Sequence, residues 1–292
     1  MQHWYFTIRM NRPRLLLLLL AFLQAPLALA GSDRQLGLLW EIAAPGQSPS
    51  YLFGTIHSEE PAVLALPGQV ERAFDAADSV VLEVLLDLDA MLYSSQVMLL
   101  GDGRLLSEIA GKSLFEQTSR AIESRGIPEI VLERMKPWAA AVTLSMPAPE
   151  TGEVLDMLLY QRALQAGKPV YGLESIREQL AIFDDMPEQE QLTLLRDAVE
   201  NFPTIDDMHR ELIDAWKRRD LGALQAINAD ALQTGDRQLA AKFQENLIDR
   251  RNRLMAERLQ QYLSGGKVFV AVGALHLPGE TGLLNLLEQH GY

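Results

Sequence analysis

The chain has 292 residues, 48% of them hydrophobic and 22% charged, which is enough apolar material for a sizeable core and too much for wholesale disorder. Its net charge of −13 repels phosphate backbones and argues against nucleic acid as a partner. The absence of cysteine excludes disulfides, thiolate metal sites and cysteine-linked lipid.

Arg9, Arg12 and Arg14 precede the apolar run 15–23, and Ala28-Leu29-Ala30 follows as an A-x-A cleavage pattern. This predicts a secretory signal peptide over 1–30, cleaved near Ala30, because the run falls short of the roughly 20 apolar residues that a membrane span needs. Residues 31–292 read as a single domain, periplasmic or secreted, with no stable membrane insertion after cleavage.

Residues 37–42 predict a strand, Pro45-Gly46-Gln47-Ser48-Pro49 a turn, and 51–54 a second strand paired with the first. A loop is expected after His57, then a helix over 68–77. The run 79–85 predicts a third strand with Glu83 inside it. Helices are expected over 89–100, 114–124, 137–146 and 152–166, followed by a fourth strand over 169–174 that ends at Glu174. From 175 to 265 only helices are expected, over 176–183, 188–200, 206–219 and 221–230, with the last continuous over 236–263. Val268-Phe269-Val270-Ala271-Val272 is the pattern of a strand covered on both faces, giving a fifth strand over 267–273. A helix over 283–290 closes the chain. This alternation predicts an α/β fold: a mostly parallel, mixed central sheet flanked by helices, with a largely helical insertion at about 175–265 between the fourth and fifth strands.

Ligands of such sheets gather beyond the carboxyl ends of the strands. Two of the five histidines stand there in matching units, Phe53-Gly54-Thr55-Ile56-His57 and Val272-Gly273-Ala274-Leu275-His276. Imidazole is the commonest metal ligand and titrates near neutrality, so this pair carries the chemical signal. His209 and His290 read as helix-surface residues. Glu83, in an apolar strand, needs a partner or a cation. Glu174 has the same two readings, or it caps the helix that starts at Ser175. Arg251 falls among Leu247, Ile248, Leu254 and Met255 on a helix face, where a guanidinium pairs with a carboxylate or clamps an anionic substrate. Asp156, on a face with Leu159, Tyr160 and Ala163, reads as structural. Two histidines and a carboxylate with room for water suit a hydrolytic divalent metal, and a second carboxylate suits a general base.

Tyr51-Leu52-Phe53-Gly54-Thr55-Ile56-His57, the strand with Glu83, the stretch 156–163, Gly167-Lys168-Pro169-Val170-Tyr171-Gly172-Leu173-Glu174, Arg251-Asn252 and the stretch from Val272 through His276 to Gly282 occur here in order. As an ordered set they resemble the TraB/GumN family, whose animal relatives are the Tiki proteins. The resemblance implies a split α/β core with paired G-x-x-H motifs and, from the Tiki relatives, metal-dependent peptidase activity. On the matching positions His57 and His276 would be ligands or catalytic residues, with Glu83, Glu174 and Arg251 around them.

The expectation is therefore an exported metal-dependent hydrolase acting on a peptide or small-molecule substrate. His57, His276 and one of Glu83 and Glu174 would hold Mn²⁺, Co²⁺ or Zn²⁺. The other glutamate would activate water, and Arg251 would orient a carboxylate or stabilise developing charge. The alternative is a non-catalytic protein that captures a peptide or small ligand in the same pocket. A third reading is ester hydrolysis with histidine as general base and no metal.

Overall fold

The most apolar strand of the chain ends up at the centre of its sheet. The computed structural model describes residues 34–233 and 237–292, so the expected leader over 1–30 lies outside the described residues. The strands are β1 (Leu39–Ile42), β2 (Ser50–Thr55), β3 (Ser79–Val84), β4 (Val170–Glu174) and β5 (Val268–Gly273), in the order β1-β2-β5-β3-β4. β1 runs antiparallel to β2 and the remaining pairs are parallel, giving a mixed sheet flanked by helices. From Val268 to Val272 every side chain of β5 is buried, as a strand covered on both faces requires. Each fully buried Val or Phe here contributes about 1.5–3 kcal/mol.

Phe269 of β5 meets Phe53 of β2 at 6.1 Å and Phe74 at 5.3 Å, the latter edge-on, while Trp216 closes on Phe53 at 6.2 Å. The Trp216 indole N–H donates to Gly54 O at 2.9 Å, so its polar end is satisfied inside the core. A Cβ on Gly54 would stand 3.1 Å from Ala274, which explains a glycine where the turn after β5 crosses β2.

The helical elements depart from expectation in places. The expected loop after His57 contains a helical turn, Pro61–Leu64. The helix expected from 114 begins earlier, spanning Leu106–Glu123 with a break at Gly111. The continuous helix expected over 236–263 is a helix Arg237–Phe243, a π-helical segment Gln244–Asp249 and a helix Arg250–Leu263. Residue 236 lies outside the described residues. A π turn accommodates an extra residue without breaking the helical path, so the sequence pattern around it still reads as helix.

Helices also fill the connection between β3 and β4, among them Leu88–Val97, Leu106–Glu123, Pro137–Leu144 and Leu155–Gln165. The buried apolar residues fall into two clusters. One surrounds the sheet. The other joins Leu106, Ile122, Trp138 and Leu144 from the first helical connection to Leu195 from the second. The helical material beyond the sheet is thus built from both connections. Among the described residues, no helix is long and apolar enough to cross a membrane.

Candidate active site

Parallel pairing sets the carboxyl ends of β2, β5 and β3 side by side, with Thr55 opposite Gly273 and Leu82 opposite Ala271. His57 leaves β2, Glu83 sits near the end of β3, and His276 closes the short 3₁₀ turn Ala274–His276 after β5. All three line one cavity of about 390 Å³, together with Thr55, Asp156 and Gln179. His57 is exposed and His276 is buried. Glu174 and Arg251 do not line it but stand behind Glu83.

Arg251 joins the two glutamates. Its Nε donates to Glu174 Oε2 at 2.9 Å and its Nη2 to the same oxygen at 2.7 Å, and Nη2 also donates to Glu83 Oε1. Nη1 donates to Leu247 O at 3.1 Å, within the π segment. With its side chain 12% exposed and a hydrogen bond from each of its three nitrogens, Arg251 neutralises buried carboxylates, and with Glu174 it lines a neighbouring cavity behind Glu83. Gln179 Nε2 donates to Glu83 Oε1 at 3.0 Å and to Glu174 Oε2 at 3.2 Å. The Gly273 N–H donates to Glu83 Oε2 at 3.1 Å. Burial alone would raise the Glu83 carboxyl; the positive charges of His276 and Arg251 and the Gly273 N–H overcome it and hold the group down at about 2.

Burial pushes the His276 imidazole down to about 4, with Glu83 opposing the shift and Arg251 adding to it. His276 is therefore neutral at pH 7, and it is Arg251 that keeps Glu83 ionised there. His276 Nδ1 lies 2.6 Å from Asn252 Oδ1, an amide orientation that assigns the ring proton to Nδ1. Nε2 then presents a lone pair toward Glu83 Oε2 at 3.7 Å, too long for a direct hydrogen bond. Asn252 is fully buried and its Nδ2 has no hydrogen-bond partner, a cost of about 1–3 kcal/mol that accompanies its grip on the ring.

Asp156 reaches the cavity from the helix Leu155–Gln165, and Thr55 Oγ1 donates to its Oδ1 at 2.7 Å. Burial raises its carboxyl, the Thr55 hydrogen bond lowers it, and the negative charge of Glu83 outweighs the help of His57, leaving the group above the ordinary aspartate range.

The donor types suit a divalent cation: a neutral imidazole oriented from behind by an amide, a carboxylate facing it, and a second imidazole lining the same cavity. Among the described residues, no group of three or more His, Asp or Glu side chains already stands at metal-binding spacing. Sequence alone assigns Asn252 no role. Its signal is the spacing Asn252, Met255, Ala256, Leu259, which places it on the buried face of its helix. Gln179 carries no comparable signal.

A model of the TraB/PrgY/gumN family matches residues 38–292. The protein YbaP of Shigella flexneri is 25% identical over 257 residues, covering 85% of this chain and 91% of its own length, and YbaP of Escherichia coli (strain K12) shows the same identity and coverage. Metalloprotease TIKI2 of Danio rerio is 25% identical over 311 residues, 87% of this chain and 60% of that protein. No solved structure matches.

Proposed function

The chain belongs to the TraB/PrgY/gumN family, and from that membership and the strand-end cavity we propose that it is an exported, metal-dependent hydrolase that cleaves a peptide bond. The observation that carries this reading is the arrangement at His276. Its Nδ1 is held by Asn252, and its Nε2 faces an ionised Glu83 oxygen at 3.7 Å, two acceptors with nothing to share between them unless a proton or a cation is supplied. The similarity to TIKI2, a metalloprotease by name, favours the cation and the peptide bond.

His276, Glu83 and His57 would hold Mn²⁺, Co²⁺ or Zn²⁺, since imidazole and carboxylate together admit all three. Such an ion supplies a water of lowered pKa and polarises the scissile carbonyl. The chain's own groups do the rest. Arg251 and Gln179 fix Glu83 in one orientation and keep it ionised, and Glu174 holds the guanidinium in place from behind. Asp156, with one oxygen engaged by Thr55, keeps a proton to higher pH than an ordinary aspartate and can hand it to the leaving amine from its other oxygen.

Metal content, measured by mass spectrometry after loading with Mn²⁺, Co²⁺ or Zn²⁺, tests the reading in the wild type and in His57→Ala and His276→Ala variants that keep their circular dichroism. Near-stoichiometric metal in the wild type, lost from both variants along with peptide cleavage, is the expected result. Cleavage that persists after thorough chelation and in His276→Ala would overturn it. Peptide binding without product, indifferent to metal, would instead establish capture in the same cavity.

A further inference from the structure

With the polar groups set aside, the cavity is walled by hydrocarbon. Ile56 follows β2, Leu86 follows β3, and Leu275 stands between Gly273 and His276. Ile176 opens the helix Ile176–Asp184, Leu212 comes from the helix Ile205–Lys217, and Ile248 from the π segment. All six are half-buried: each packs against the body of the protein and keeps surface open at the cavity. They come from six different segments, so the chamber is a product of the whole fold and not a gap beside one helix.

Its charge is equally one-sided. Among the described residues, the titratable lining groups are His57, Glu83, Asp156 and His276, with no lysine or arginine. Arg251, behind Glu83, is paired with both Glu83 and Glu174. Away from the atoms that would hold the metal, a carboxylate or phosphate entering the chamber would meet the Asp156 carboxyl and no side-chain cation. An ammonium would leave water for a wall of aliphatic side chains, with the Glu83 carboxylate already neutralised from behind. A neutral apolar group meets neither cost. The volume, about 390 Å³, lies near the small end of ligand pockets, room for one side chain with its flanking peptide units and not for a long extended segment.

We propose that this chamber is the subsite for an uncharged apolar side chain, of the leucine, methionine or phenylalanine class, next to the bond that is cleaved. The proposal rests on the hydrolase reading for the position of the bond, and on the cavity alone for the chemistry of the side chain.

The test separates the two. N-acetyl amides of Leu, Phe, Gly, Lys and Asp are titrated into the full chain and followed by NMR chemical shifts. Leu and Phe amides are expected to bind roughly 10- to 100-fold more tightly than Gly amide, from the burial of one apolar side chain. Lys and Asp amides are expected to gain nothing over Gly. Ile248→Asp should bring Leu amide down to the level of Gly amide in protein that keeps its circular dichroism. Leu212→Ala, which enlarges the chamber and adds no charge, should move the preference from Leu toward Phe. Equal binding of all five amides, or a preference for Lys or Asp, would overturn the subsite. A peptide-library digest provides the second reading. Cleavage beside apolar residues supports the subsite, and cleavage without side-chain preference overturns it while leaving the hydrolase standing. Apolar preference in binding with no cleavage under any metal upholds the subsite and overturns the hydrolase.

Discussion

Arg251 stands between two carboxylates that the fold has taken largely out of water, their side chains 21% exposed for Glu83 and 3% for Glu174. Replacing the guanidinium with an apolar group of similar length strands both charges. Arg251→Met is therefore expected to cost about 3–5 kcal/mol in urea unfolding, the range found when one partner of a buried ion pair is removed. Arg251→Lys keeps the charge but not the fork, so it should recover part of that loss and no more. Adding Glu174→Gln to Arg251→Met should restore some stability, because one stranded charge is gone; a double variant less stable than Arg251→Met alone would contradict this account. Sequence spacing placed Arg251 on a buried helix face but left open whether it pairs or clamps. What decides the matter is where the ends of β3 and β4 lie in space, information that no local pattern contains. Asn252 differs: its place on the buried face follows from its three- and four-residue spacing to Met255 and Ala256.

The helix Ile176–Asp184 shows how a single element ties the site to the body of the molecule. Ser175 caps it: Ser175 Oγ accepts from the Glu178 N–H at 3.2 Å, and Glu178 Oε2 accepts from the Ser175 N–H at 2.8 Å. The capping reading of Glu174 is thus replaced by one in which Ser175 and Glu178 form a capping box, a Ser-x-x-Glu spacing visible in the sequence. Arg258 binds Glu178 Oε1 at 2.6 Å and the Leu173 carbonyl at 2.6 Å, clamping β4, this helix and the helix Arg250–Leu263 together. The Arg258 hydrogen bond, followed by the Ser175 N–H, draws the Glu178 carboxyl down to about 2 from its ordinary 4.5. A depressed carboxyl stabilises the fold above its ordinary pKa, and the effect is lost as pH falls through the folded value. Glu178→Gln should therefore cost about 0.5–1 kcal/mol at pH 7, the modest figure expected of a cap and a solvent-exposed ion pair. The gap to wild type should close between pH 4.5 and about 2, as read from urea midpoints across that range. A gap that stayed constant with pH would show that the carboxylate charge is irrelevant. The π segment lies at the other extreme of legibility, since its residues satisfy a helical pattern equally well.

At the scale of the whole molecule, the two apolar clusters divide the labour. Of the cavity walls, Ile56, Leu212 and Leu275 pack on the sheet cluster, whereas Leu144, fully buried, belongs to the second cluster and does not line the cavity. Leu144→Ala should cost about 2–5 kcal/mol by cavity formation. Because Leu144 does not line the cavity, metal content and Leu-amide affinity in the folded protein should stay at wild-type levels; loss of either would mean that the second cluster shapes the cavity. The strands were legible because each carries its own signature, most plainly the unbroken apolar run of β5. The pairing of helices from two connections into one cluster was not, because it joins Trp138 and Leu144 to Leu195 across β4 and the helix that follows it, and depends on three-dimensional packing.

The sheet order also has a consequence in time. β5 is the last of the described strands to leave the ribosome, yet it lies between β2 and β3, which were made long before it. Until it arrives, the nascent chain holds two half-sheets with unpaired edges facing one another and only one of the two paired histidines. Closing that gap demands contacts between residues more than 180 positions apart, such as Val80 with Phe269, the kind of closure that makes folding slow. The paired-histidine cavity is therefore withheld during synthesis by topology itself: a nascent chain that ends before β5 does not possess it.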